Sequence, residues 1–478
     1  MSLSNKAFSS FNYVFISTVL SKVIVLLGGI VMARILSPED FGLIAMLYII
    51  FELSNFLITA GFGTVLIREK DVSQEDLSTV FWFNLITSTS LVILIWIFAK
   101  DIAEFYHEPK LVLISKVMSL NLVFSAFGMV QSSMYQRELK FKELGIRKVI
   151  ASLFTIIVGV YLSMTGWGYL ALAIKYTVGS LISAILLYLM RPWRPTSFIK
   201  SSNFLRMFKF GGNVMLLGVI NTLTRNVHQI VIGKYFSSKS LGFFNQGNML
   251  KDNLVNTLTD AVYQVSFPLL AKIQEDKERM KAGYIRILGL TSFVIFPLII
   301  IFSFIAKPLI IFLLGDKWVQ TTPYFQLLLI SGGLKHIHSM NINILKVYGE
   351  GRDYLYQGIF RNAITIIGII IGVRYGTIGI AASLVISDFI QLGINTYYSN
   401  KYIKFDIIEQ IKTIGPILFL NLFLFICSWG FNGFIDRNSN LYLIIFPIVF
   451  VVFYGLISKL LKMQEYSLFW SLLNKKGL

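Results

Sequence analysis

Ten charged side chains lie within stretches of the 478-residue chain that are otherwise apolar. Six are basic, Lys22, Lys116, Lys175, Arg225, Lys251 and Lys335, and four are acidic, Glu52, Asp252, Asp260 and Asp388. A charge at the centre of a bilayer costs about 2.5–3.5 kcal/mol or more on insertion scales, so such groups face a bundle interior or a wet cavity. They share helical faces with uncharged polar residues: Thr18 with Lys22; Tyr48, Glu52, Asn55 and Thr59; Asn221, Arg225 and His228; Asn248, Lys251 or Asp252, Asn256 and Asp260. Spacings of three and four place each set broadly on one side of its helix. An opposite charge at 4 Å is worth about 4 kcal/mol before desolvation at an effective dielectric near 20, so an interior with surplus bases should hold an anion. Lys22, Arg225 and Lys251 are the leading candidate ligands for that anion, with Lys116, Lys175 and Lys335 behind them. The alternative is neutralisation in closed pairs, such as Glu52 with Lys22 or Arg225 with Asp252. His336 and His338 are two residues apart, which sends their rings to different faces and argues against a metal site; His107 falls in a loop and is expected to be solvated.

The elements that position these groups follow from composition. Hydrophobic residues make up 55% of the chain and charged residues 14%, with a mean hydropathy of +0.69. A soluble domain carries roughly a quarter charged residues. An all-α membrane protein of about fourteen spans is expected, with helices over roughly 12–33, 41–66, 80–99, 111–134, 149–164, 168–190, 210–233, 242–270, 287–306, 323–345, 355–373, 376–399, 413–430 and 440–458. The run after Lys6 is longer than a signal-peptide core and reads as a retained first helix. Lys and Arg concentrate in alternate loops, for example Arg137, Lys140, Lys142, Arg147 and Lys148 between the fourth and fifth helices. That bias places both termini in the cytoplasm and explains much of the net charge of +18 without nucleic acid. The single cysteine, Cys427, excludes an intrachain disulfide.

The chain also repeats. ARILSPEDFG at 33–42 aligns with GKYFSSKSLG at 233–242, AKDIAEF at 99–105 with AKPLIIF at 306–312, and WGYLALA at 167–173 with YGTIGIA at 375–381. Six helices separate the copies, so the repeat is parallel. The expected organisation is an N-lobe at 1–190, a basic linker at 191–209, a C-lobe at 210–400, and two further helices with a tail at 401–478. RPWRP at 191–195 should break the sixth helix. The aromatic and basic stretch 198–210 fits either a short interfacial helix or a basic loop.

No G-x-x-x-x-G-K-[ST] loop and no Asp-x-Asp pair occurs, and the outer loop near 307–322 is short for a catalytic one. These absences favour a transporter over an enzyme.

GGIVMARILSPEDFGLIAM at 28–46, LITAGFGTVLIREKD at 57–71, YQRELKFKELG at 135–145 and the WGYLALA segment resemble the polysaccharide transporter (Wzx-like flippase) family, in particular its colanic-acid and teichuronic-acid exporter branch. The resemblance implies membership of the multidrug/oligosaccharidyl-lipid/polysaccharide superfamily, whose two six-helix lobes enclose a central cavity lined by the first, second, seventh and eighth helices. It implies a bacterial cytoplasmic-membrane flippase that moves undecaprenyl-pyrophosphate-linked sugar units outward for exopolysaccharide, capsule or O-antigen synthesis. On that reading the cations above meet the pyrophosphate, while Asn55, Asn221, His228, Asn248 and Asn256 meet sugar or other polar groups. Glu52, Asp252, Asp260 or Asp388 would couple transport to protons or sodium, with no other cofactor. The expected partners are the lipid-linked oligosaccharide, membrane lipids, and a polysaccharide polymerase and co-polymerase. The alternatives are a cation-coupled multidrug exporter of the same fold and a non-transporting scaffold of the synthesis complex.

Overall fold

The computed structural model describes residues 3–59, 61–69, 71–348, 351–431 and 440–474. The side chains of 3–12, Asp260 and most of its neighbours from 257 to 272 lie outside the described set, as do Arg437 and the end of the tail from 475 onward. Among the described residues are fourteen helices of at least 21 residues. Ten runs are long and apolar enough to cross a membrane, and one of them, Arg352–Ile403, contains two helices.

The chain divides into two compact units, residues 1–242 and 243–478. The first holds α1 (Leu3–Ile35), α2 (Pro38–Thr59), α3 (Phe62–Arg68), α4 (Gln74–Ile97), α5 (Ala99–Tyr106), α6 (Leu111–Arg137), α7 (Phe141–Met164), α8 (Tyr169–Met190) and α9 (Ser201–Tyr235), together with the first turn of α10 (Ser238–Lys272). The second holds the rest of α10, then α11 (Lys277–Phe304), α12 (Ala306–Leu314), α13 (Thr321–Tyr348), α14 (Gly351–Gly372), α15 (Gly376–Ile403), α16 (Ile407–Phe431), α17 (Asn440–Leu460) and α18 (Gln464–Asn474).

The SPED stretch earns its place by starting a helix. Ser37 Oγ accepts from Asp40 N at 3.2 Å while Asp40 Oδ2 accepts from Ser37 N at 2.9 Å. This reciprocal box, with Pro38 in the first helical turn, satisfies donors that a helix start otherwise leaves open. The second copy is capped more simply, by Ser240 N donating to Ser237 Oγ at 3.1 Å. The two starts then cross. A Cβ on Gly42 would lie 1.7 Å from the Ser238 carbonyl oxygen, and one on Gly242 would lie 1.9 Å from that of Pro38. Only glycine fits where backbones approach so closely.

Inside the first unit α1 runs along α7 in parallel register, Gly145 against Ser17, Gly28 against Ile156 and Gly159 against Met32. The pairings α4 with α6, α6 with α8 and α7 with α8 recur in the second unit as α11 with α13, α13 with α15 and α14 with α15. There, α16 and α17 pack on α11, with Tyr454 OH donating to the Phe293 carbonyl at 3.0 Å.

Two segments differ from the sequence expectation. α7 begins at Phe141, not 149, so Arg147 and Lys148 belong to a helix instead of a loop. Residues 201–210 form no separate interfacial helix or loop; they open the 35-residue α9. Nothing between Ser201 and Phe210 breaks a helix, and Phe204 and Phe208 pack with Phe62 and Phe83 against α3 and α4. The RPWRP coil ahead of it is pinned by Trp193 Nε1, which donates to Gln74 Oε1 at 3.0 Å.

Candidate substrate-binding cavity

The first unit encloses a cavity of about 690 Å³ among α2, α3, α6, α7, α8 and α9. α6 presents Asn121, Ser125, Ser132 and Gln136 to it, and α8 presents Tyr176, Ser180 and Ser183. Spacings of three, four and seven keep each set on one helical face. Gly179 lets α8 close on α7, because a Cβ there would lie 2.3 Å from Thr155 Oγ1. At one lip Gly61 holds φ +71°, which turns α2 into α3.

Among the described residues the one charged side chain lining the cavity is that of Arg147. Its Nε is shielded from solvent, and the side chain makes no hydrogen bond or ion pair among the described residues. The charges close enough to act on the adjacent Lys148 are Arg147 and Lys22, all three positive. Lys148 Nζ donates to Thr18 Oγ1 at 3.3 Å, which ties this cationic group across α1 and α7. The residue as a whole is half-buried, and a half-buried guanidinium without an ion pair is well placed to take an anion.

On α6, Asn121 is fixed by two hydroxyls. Ser125 Oγ and Ser180 Oγ donate to its Oδ1 at 2.9 and 2.5 Å. Its Nδ2 has no partner among the described residues, so two donors remain for a ligand. Sequence reasoning missed this wall because it tracked charge, and missed Arg147 because the apolar window begins after it. The rhythm of Asn121, Ser125, Ser132 and Gln136 was the available signal.

The match to known proteins completes the picture. Residues 31–323 fit the model of a family described as polysaccharide biosynthesis protein. The chain belongs to that family. It is similar to the succinoglycan biosynthesis transport protein ExoT of Rhizobium meliloti (strain 1021), with 24% identity over 70% of this chain and 68% of that one. It is also similar to the teichuronic acid biosynthesis protein TuaB of Bacillus subtilis (strain 168), with 24% identity over 62% of each. Its fold is that of the lipid II flippase MurJ in an inward closed conformation, with a TM-score of 0.77 and 19% identity over 94% of this chain and 99% of MurJ.

In this polysaccharide biosynthesis protein the cations expected from sequence have several settings. Arg225 donates to Glu52, and Asn226 Nδ2 donates to the other carboxylate oxygen at 2.8 Å, joining α9 to α2. Glu52 is thus paired with Arg225 and not with Lys22. Lys251 pairs with the neighbouring Asp252 at 2.8 Å, and Asn248 and Asn256 donate to the same carboxylate at 3.2 and 2.8 Å. Asp252 is therefore engaged by Lys251 and not by Arg225. Lys175 is buried beside Met32 Sδ at 3.8 Å and over the Tyr176 ring. Lys116 is half-buried on α6, where its carbonyl accepts from Ser119 Oγ. Lys335 is half-buried on α13. Asn55, Asn221 and Lys22 are exposed, and His228 is buried.

Asp388 accepts from Ser331 Oγ, and Lys251 and Arg361 are the positive charges acting on it. The side chain of Asp260 lies outside the described residues. His336 Nε2 meets Ser292 Oγ at 2.8 Å and His338 Nδ1 meets Asn395 Nδ2 at 2.8 Å, so the two rings serve different helices, α11 and α15. His107 Nε2 lies 3.2 Å from Lys234 Nζ.

Proposed function

We propose that this protein moves saccharides linked to undecaprenyl pyrophosphate from the cytoplasmic to the outer leaflet of the bacterial cytoplasmic membrane, for surface polysaccharide assembly. The observation that carries the reading is Arg147, a guanidinium that makes no ion pair among the described residues and lines a cavity with polar side chains such as Asn121, Ser132 and Gln136. Family membership and the MurJ fold support it. The pyrophosphate joins Arg147 with Lys148 and Lys22 nearby, since a guanidinium fork suits phosphate oxygens. The polyprenyl tail stays in lipid while the two halves rock between inward and outward access.

With both termini cytoplasmic, the α6–α7 end of the cavity faces the leaflet where the substrate is made. Asp388, which has no direct ion pair among the described residues, is the carboxylate proposed for proton or sodium coupling. A polymerase with its co-polymerase would receive the product.

The test uses proteoliposomes loaded with lipid-linked oligosaccharide extracted from the producing strain. Arg147→Gln should slow crossing at least about tenfold, the loss of roughly 1.4 kcal/mol or more of anion stabilisation. Crossing at the wild-type rate, with equal protein inserted, would remove Arg147 from the mechanism and the cavity observation from the reading.

A further inference from the structure

We infer that a polar basin beside the start of α4 is a vestibule of the cavity in residues 1–242, and that Arg137 is the latch between the two. The latch rests on geometry; that a saccharide passes it rests on the flippase reading.

The basin, of about 750 Å³, is lined by Asp71, Ser73, Glu75, Asp76, Ser202 and Arg206, together with Arg137. α6 connects it to the cavity. Met129 and Ser133 line the cavity four residues apart, and Arg137 continues that row by one more turn into the basin. At 1.5 Å of rise per residue, the cavity-lining and basin-lining positions are about 6 Å apart along the helix. The α3 segment shows the same succession. Gly63, Thr64 and Ile67 line the cavity, and Asp71, four residues after Ile67, lines the basin.

The guanidinium stands at this boundary. Arg137 Nη1 donates to the Leu66 carbonyl at 2.9 Å and also to the Glu69 carbonyl, at the end of α3. A helix end leaves its last carbonyls open, and a cation placed there gains charge-assisted hydrogen bonds and a favourable dipole. α3 itself is fixed, since Phe62, Val65 and Leu66 are buried in an apolar cluster with Leu77, Phe81 and Trp193. The movable part is therefore the Arg137 side chain. A second seat is present in the basin. Asp71 is exposed and makes no ion pair among the described residues, whereas Arg206 engages Glu69 and Asp76, and Lys200 engages Glu75. Arg137 on α3 closes the passage, and Arg137 turned to Asp71 opens it. The hydroxyls and carboxylates of the basin suit the hydroxyls of a sugar.

The test reads access to the cavity in the full-length protein. Cys427→Ser removes the one native cysteine, and Ser132→Cys places a thiol on the cavity wall. Membrane vesicles of both orientations are treated with an anionic, membrane-impermeant methanethiosulfonate. A separate Ser202→Cys protein, labelled at the exposed basin rim, identifies the basin side. Adding Arg137→Ala should speed cavity labelling from the basin side at least about fivefold and leave labelling from the other side unchanged. Arg206→Gln, which leaves the Arg137 clamp in place, should not change the rate. Asp71→Asn, which removes the second seat, should slow labelling about twofold or more.

No acceleration by Arg137→Ala would overturn the inference. So would equal acceleration from both sides, the mark of a loosened fold, or an equal effect of Arg206→Gln. The flippase reading fails separately, because labelling needs no substrate. If the latch behaves as described while wild-type vesicles do not translocate extracted lipid-linked oligosaccharide, the vestibule stands and the transport reading falls. If crossing occurs while Arg137→Ala leaves labelling unchanged, transport stands and the vestibule falls.

Discussion

Arg147 and Arg225 carry the same group in helices of the same unit, and their neighbours give the two charges different work. Glu52 and Asn226 hold the Arg225 side of α9 against α2, whereas Arg147 makes no ion pair among the described residues. The Arg225 side chain is 69% exposed, so its pair contributes no more than about 1 kcal/mol to stability. Arg225→Gln is expected to slow lipid-linked oligosaccharide crossing by less than Arg147→Gln, and Glu52→Gln added to Arg225→Gln should change the rate little further. A proteoliposome series on the three variants checks the order. The stripe of Tyr48, Glu52 and Asn55 was legible because spacings of four and three are a property of one helix. The partner of Glu52 was not, because pairing α2 with α9 joins positions 173 residues apart.

At the scale of elements, helix starts and breaks were the readable features. α8 ends at Met190, directly before RPWRP. Less readable was where a basic helix end stops being a loop. Lys142, Arg147 and Lys148 look like cytoplasmic punctuation, yet α7 carries them as its first two turns and thereby brings Arg147 to the cavity. The lip formed by Gly61 is an element-scale device of the same kind. Its φ of +71° disfavours a side chain, and a Cβ would stand 2.4 Å from the Gly211 carbonyl oxygen. Gly61→Ala should cost at least about 1 kcal/mol from backbone strain alone, with the clash adding to it. A lowered Tm in detergent checks this, and an unchanged Tm would mean that α3 and α9 move apart freely.

Across the whole molecule the duplication is the fact with the widest reach. The helix pairings of the first unit recur in the second, and the aligned decapeptides at 33–42 and 233–242 give the two copies a shared landmark. Those landmarks touch each other. Gly42 presses on the carbonyl of Ser238 and Gly242 on that of Pro38, which are equivalent positions of the two copies. Gly42→Ala and Gly242→Ala should therefore lower Tm by similar amounts, and a large inequality would show that the two sides of the crossing are not mechanically alike. Reciprocal contact of this type, i on j and j on i, is the mark of an isologous dimer interface. At this crossing the two decapeptides act as one joint: each glycine sets how closely the other copy's carbonyl can approach, so widening one side loosens the other.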